Sequence, residues 1–170
     1  MKSGWAALVA AMLLPMQAAG QTSGNILADI EKIGLYINDQ VKDGCWPRPQ
    51  QSRRAVELEL VRSNLAVEDS SIVFLTLYAL GSETAWGSTP TGVCIVSYTL
   101  NLRDCVFYYP SYLPEARRFR CVTIWEGDGH VSGAKVTLQQ SLTDQFVELT
   151  RSFLLDLEKD RRGIVPEQYR

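Results

Sequence analysis

Four cysteines, Cys45, Cys94, Cys105 and Cys121, follow a leader that reads as an export signal, so the fold must bring two pairs of sulfurs together. An even cysteine count in an oxidising compartment favours structural disulfides. There is no C-x-x-C, which argues against a thioredoxin-like redox site and a zinc ribbon. In the leader, Lys2 gives a positive start, Trp5 to Leu14 is an apolar run, and Pro15 breaks it. Ala18 and Gly20 stand at the −3 and −1 positions before Gln21. The run is shorter than the ~20 residues that span a bilayer. The expected organisation is a signal peptide over 1–20 and one domain over 21–170, with no transmembrane segment after cleavage. The expected location is outside the cytoplasm: periplasmic in a bacterium, secreted otherwise.

Composition narrows the chemistry. Seventeen Lys plus Arg against 19 Asp plus Glu leave a net charge of −2. An acidic chain lacks the cationic surplus that phosphate backbones require, so no nucleic-acid partner is expected. One histidine excludes any centre that needs two imidazoles. With 46% hydrophobic residues, the chain has enough apolar material for one sizeable core. No cofactor is implied.

The hydrophobic pattern predicts a helix, then strands, then a helix. Ile26, Ile30, Ile33, Ile37 and Val41 recur at spacings of four, three, four and four, which predicts a first helix over Asn25 to Asp43, closed by Gly44. Ala55 to Arg62 alternates Val56, Leu58 and Leu60 with Glu57, Glu59 and Val61 and reads as a strand. Ser71 to Leu80 reads as a central strand, Gly81 to Gly92 as a loop, and Val93 to Leu102 as the next strand. Cys105 to Tyr109 and Arg117 to Trp125 form a pair of strands around the loop Pro110 to Ala116. Glu126 to Gly133, with three glycines in eight residues, reads as a turn, and Ala134 to Gln140 as a sixth strand. Leu142, Phe146, Leu149, Phe153 and Leu157 stripe a closing helix over Leu142 to Asp160, with Ser141 and Asp144 as a capping box. Short connections favour antiparallel neighbours. The fold class is therefore α+β: an antiparallel sheet of about five or six strands, with an N-terminal helix and a long C-terminal helix on one face.

Strand register selects the disulfides. If Tyr109 faces Arg117 across the loop, Phe107 faces Phe119 and Cys105 faces Cys121. Directly opposed β-carbons lie within ~4.5–5.5 Å, close to what a disulfide needs. Cys45 then pairs with Cys94.

Candidate sites are few. Glu126, Asp128 and His130, alternate residues of the glycine-rich turn, have the ligand types for one metal ion. No G-x-S-x-G surrounds Ser132, which reads as a turn residue rather than a nucleophile. For binding, Tyr108, Tyr109 and Tyr112 lie in a proline-stiffened segment, Trp86 sits in a polar loop, and Arg118 and Arg120 share a strand face. Aromatic side chains and arginine are enriched at interfaces. These features favour a non-enzymatic domain that engages a protein of the cell envelope or exterior. One alternative is a carrier holding a small apolar ligand between the sheet and the C-terminal helix. The other is a metal-dependent hydrolase built on Glu126, Asp128 and His130.

Overall fold

The structure is a computed structural model that describes residues 27–108 and 118–163. The signal-peptide segment, Tyr109, Tyr112 and the loop Pro110 to Ala116 lie outside the described residues. In chain order the elements are β1 (Lys32–Val41), α1 (Pro49–Arg62), β2 (Ala66–Val67), β3 (Val73–Trp86), β4 (Thr89–Tyr108), β5 (Arg118–Ala134) and α2 (Lys135–Arg161). The sheet order is β2-β1-β3-β4-β5. β1 pairs in parallel with both β2 and β3, whereas β3, β4 and β5 form an antiparallel meander. The fold is α+β with two helices, as the pattern implies, but the sheet is mixed rather than antiparallel. The cause lies in the first two elements.

The segment expected as the first helix is a strand instead. Its spacing also contains the alternation Ile33, Leu35, Ile37, which buries Ile33 and Leu35 under the helices. Gly34 would weaken a helix interior by about 1 kcal/mol. Here it faces the other side of the sheet, where an added β-carbon would crowd the Phe74 β-carbon at 3.1 Å. The next segment, expected as a strand, is α1. Pro49 takes a first-turn position, where its missing N–H costs nothing. Ser52, Val56 and Leu60, spaced by four, form the buried face. Leu58 and Val61, which the alternation sets on opposite faces, are both exposed. The α1 crossover is what makes β1 and β3 parallel.

Both apparent loops on the C-terminal side are strand. β3 and β4 run through Gly81 to Gly92 and leave only Gly87 and Ser88 between them, with Gly87 at φ +63°. β4 is one strand, where the sequence suggests two. β5 runs straight through Glu126 to Gly133. Its glycines serve packing: a β-carbon at Gly129 would meet the Tyr98 phenol, and one at Gly127 would press on Leu149 and Trp125. The expected sixth strand, Ala134 to Gln140, is the start of α2, which begins at Lys135 with no side-chain cap. Ser141 therefore lies inside the helix, and its hydroxyl donates to the Thr137 carbonyl at 3.4 Å.

The core lies between the sheet and the two helices. Leu138, Leu142, Phe146, Phe153 and Leu157 of α2 are buried against Val96, Tyr98, Leu100 and Leu102 of β4 and neighbouring strands. Trp46 belongs to this core: its ring lies 5.7 Å from that of Phe146, and its indole N–H donates to Ser52 Oγ at 3.1 Å. Disulfides join Cys45 to Cys94 and Cys105 to Cys121, the pairing that the register selects. Cys105 faces Cys121 and Phe107 faces Phe119 in the β4–β5 ladder.

The helices are also clasped by charge. Arg151 of α2 reaches both oxygens of Glu59 on α1 at 3.3 Å and pairs with Glu148. The hydrogen bond from Arg151 holds the Glu59 carboxyl below its ordinary value of 4.5, aided by the charges of Arg151 and Arg62. A depressed folded-state pKa contributes stability that is present above the unfolded value and lost as pH falls through the folded one. Glu59→Gln is therefore expected to lower the melting temperature by a few degrees at neutral pH. Its loss of stability between neutrality and about pH 3 should be shallower than the wild type's. Parallel thermal melts across that range check this, and superimposable pH curves would show that the clasp contributes nothing.

Candidate functional site

Two surfaces stand out among the described residues. The first is the far end of the β4–β5 ladder. The β3–β4 ladder runs as far as Asp104, and the Cys105 N–H adds one bond to the Ile72 carbonyl at 3.1 Å; from there Val106 to Tyr108 and Arg118 to Arg120 continue past the edge of β3. They form a two-stranded arm beyond the sheet, with the Cys105–Cys121 bridge at its root. Val106, Phe107, Tyr108, Phe119 and Val122 are all exposed large apolar side chains on this short stretch. The Phe107 and Phe119 rings meet across the strands with centroids 4.9 Å apart, tilted 48° to each other. Arg118 lies opposite Tyr108 and Arg120 opposite Val106, so both cations sit on the arm.

Trp86 is not part of this surface. It is 88% exposed at the tip of the β3–β4 hairpin. Tyr108 lies at the other end of β4, a 20-residue strand that measures about 60 Å at ~3.3 Å per residue. The structure thus joins Tyr108, Arg118 and Arg120 and separates Trp86 from them.

The second surface is the face of the sheet turned away from the helices. Its cross-strand rows are Tyr36–Thr76–Asn101–Glu126, Asn38–Tyr78–Thr99–Asp128 and Gln40–Leu80–Ser97–His130. A bulge between Leu102 and Arg103 accommodates Ile124 and lets Thr123 and Glu126 share this face. Glu126, Asp128 and His130 are therefore neighbours along a strand, not around a turn. Their stride of ~6.7 Å spreads them over roughly 13 Å, too far for one metal ion. Among the described residues no group of three or more His, Cys, Asp or Glu is placed to hold a metal. The ligand types are right, but the strand geometry separates them.

On the helix side, burial and the Asp128 carboxylate push the Tyr98 phenol up. Its hydroxyl stays protonated and donates to Gln145 Oε1 at 2.6 Å. That bond belongs to the sheet–helix interface and fixes α2 on β4. The space expected for an apolar ligand between sheet and α2 is taken by Phe146, Phe153, Leu138 and Leu142, all fully buried.

Asn101, which the pattern of the chain does not single out, is the one polar residue of the open face that is almost fully buried among the described residues, at 6% exposed. The alternation of β4 does place Ser97, Thr99, Asn101 and Arg103 on one polar side. What no single strand reveals is that β1, β3 and β5 set four more side chains around the same point.

No protein-family model matches the sequence, and no curated protein matches it by sequence. Among solved structures, a PelC dodecamer variant from Paraburkholderia phytofirmans is 18% identical at a TM-score of 0.43, covering 80% of this chain and 94% of that one. A Xanthomonas campestris protein assigned to DUF330 is 11% identical at 0.43, over 76% of this chain and 87% of that one. A minor lipoprotein from Acinetobacter baumannii is 9% identical at 0.34, over 75% and 94%. Likeness at this level leaves the function to the residues themselves.

Proposed function

We propose that this chain is an exported, non-enzymatic binding domain that docks a protein of the cell envelope or exterior on the β4–β5 arm. The observation that carries the reading is the concentration of exposed Val106, Phe107, Tyr108 and Phe119 on the arm, with exposed Val122 at its root. Exposed apolar clusters of this kind mark interaction sites. The disulfide at the root holds the ribbon's register, so less conformational freedom is lost on docking. Arg118 and Arg120 at its rim favour a partner with an acidic border. Export is supported by the leader and by four cysteines joined in two bridges.

Site-specific photo-crosslinking tests the reading. A crosslinker at Phe119 is expected to trap a discrete partner in the envelope fraction. One at Val136, 89% exposed on α2, should not. Phe119→Ser is expected to keep the fold, with a melting temperature within a few degrees of the wild type. It should weaken capture by about thirtyfold, the loss typical of a central aromatic contact. Equal crosslinking at both positions, or capture indifferent to Phe119→Ser, would reject the arm as the docking site.

A further inference from the structure

The outer edge of β5 is a second interaction surface, independent of the arm. β5 ends the strand order, so only one of its sides is paired among the described residues. Trp125 to Ala134 run opposite Leu102 to Val93 with no register shift. At ~3.3 Å per residue, this stretch presents about 33 Å of backbone donors and acceptors on its other side. Proteins blunt such an edge with proline, lysine, a bulge or a covering element. The opposite edge of this sheet is treated that way. β2 covers the start of β1. Beyond it, the Arg53 guanidinium donates to the Leu35 carbonyl at 3.2 Å, and the Asp39 carboxylate accepts the Val41 N–H at 2.9 Å. Trp125 to Ala134 contain neither proline nor lysine, and the bulge of the β4–β5 ladder lies before them.

The side chains select the strand that fits. Glu126, Asp128, His130 and Ser132 alternate along the stretch, all exposed on the open face. A second copy of β5, antiparallel about a two-fold axis, sets the same residues against each other. The two open faces then lie on one side only if the paired residue numbers have an even sum. An axis at Asp128 opposes its own carboxylate, and one at Gly127 opposes Glu126 to Asp128. An axis at His130 opposes two imidazoles and leaves Glu126 against Ala134. An axis at Gly129 sets Asp128 opposite the partner's His130 and Glu126 opposite the partner's Ser132, each twice. Only this register gives every carboxylate of the stretch a donor.

Gly133 points to the same register from the helix side. Gly127 and Gly129 are required by Leu149, Trp125 and Tyr98, which would meet their β-carbons below 3 Å or at 3.0 Å. Gly133 has no such reason: its φ is not positive, and an added β-carbon would meet nothing nearer than 4.0 Å. A strand glycine without a reason in its own chain marks the close approach of another. With the axis at Gly129, Gly133 lies opposite the partner's Trp125, the largest side chain of the stretch. We propose that β5 pairs with β5 of a second copy of this chain, antiparallel about a two-fold axis at Gly129, so that one sheet runs through both domains.

Sedimentation equilibrium of the disulfide-intact domain, taken up to several hundred micromolar, reads the association. A reversible dimer is expected, with amide exchange slowed over residues 125–134 as it forms. His130→Asp sets two carboxylates against each other on both sides of the axis and should weaken the dimer at least about tenfold. Adding Asp128→His to that variant restores each pair with its members exchanged, and should return the affinity to within about threefold of the wild type. Gly133→Val has room within one domain, so it should keep the melting temperature while weakening the dimer about tenfold through the partner's Trp125. A domain that stays monomeric, or that grows past the dimer, would overturn the proposal. So would protection confined to residues 118–122, a dimer indifferent to His130→Asp, or an exchange of the two residues that fails to restore it.

Discussion

Phe153→Asp is expected to abolish the folded state or to lower the melting temperature by tens of degrees. Phe153 is fully buried near the middle of α2, with its ring 5.4 Å from that of Trp125, edge to face. Losing the ring alone costs about 3–5 kcal/mol. The carboxylate that replaces it has no buried partner, and its desolvation adds several more. The sum approaches the ~5–15 kcal/mol that holds a typical domain together. The damage would spread through Trp125, whose indole N–H donates to Asp156 Oδ2 at 3.1 Å and ties β5 to α2. Glu158→Ala is the matching control. Its carboxylate pairs with Arg162 at the exposed end of the same helix, and such surface pairs are worth ~0–1 kcal/mol. Thermal denaturation followed by circular dichroism separates the two variants. Equal melting temperatures would mean that α2 is not seated on the sheet by this stripe.

The contrast between α2 and β1 shows what the pattern of a chain can reveal. The α2 stripe was legible because Leu142, Phe146, Leu149, Phe153 and Leu157 repeat over four turns with no competing alternation. Its first two turns were not, because Val136 and Leu138 alternate with polar residues just as a strand would. In the structure Val136 is exposed and only Leu138 is buried. β1 fails in the opposite sense: five isoleucine and valine positions fit a helix, yet Ile33, Leu35 and Ile37 fit a strand equally well. What decides is tertiary, since the edge of β3 is available to pair with β1 along eight residues. The β-branched residues and Gly34 favour a strand over a helix here, in the same direction as the pairing. In α1 the reverse held, where Pro49 followed by Gln, Arg, Glu and Leu pointed to a helix against an alternating pattern.

The glycine-rich run Glu126 to Gly133 misleads for a different reason. Turn chemistry and close packing both call for glycine, and only the partner side chains distinguish them. Tyr98, Leu149 and Trp125 come from three separate elements and crowd Gly127 and Gly129 from the helix side. A turn would converge Glu126, Asp128 and His130 on one point, as a metal site needs. The strand instead sets Glu126, Asp128 and His130 in an outward row and places Glu126 beside Asn101. The arm was partly legible, because the Cys105–Cys121 and Phe107–Phe119 pairs follow from one choice of register. Its exposure was not, because that depends on β3 pairing no further than Asp104.

The two disulfides are expected to differ sharply in what their removal does. Cys45–Cys94 closes 49 residues of chain, which is worth about 4 kcal/mol in the chain-entropy model, and both residues are fully buried in the core. It ties the turn after β1 to the middle of the sheet, across the span that contains α1 and its parallel crossover. Cys45→Ser with Cys94→Ser also places two hydroxyls in an apolar interior. The doubly substituted protein should therefore melt at least about 10 °C lower, at roughly 2–4 °C per kcal/mol for a domain of this size. Cys105–Cys121 closes 16 residues, nominally about 3 kcal/mol. The described part of the span it closes, residues 105–108 and 118–121, lies at the outer end of the β4–β5 ladder, away from the helices' packed stripe. Removing it should cost only a few degrees of global melting temperature. It should instead loosen the ribbon, raising amide exchange and proteolytic cutting between residues 105 and 121 and impairing partner capture there. Melting curves and limited proteolysis of the two double variants settle the assignment. If the Cys105/Cys121 variant lost as much global stability as the other, the arm would be part of the packed core, and the docking role proposed for it would fail with it.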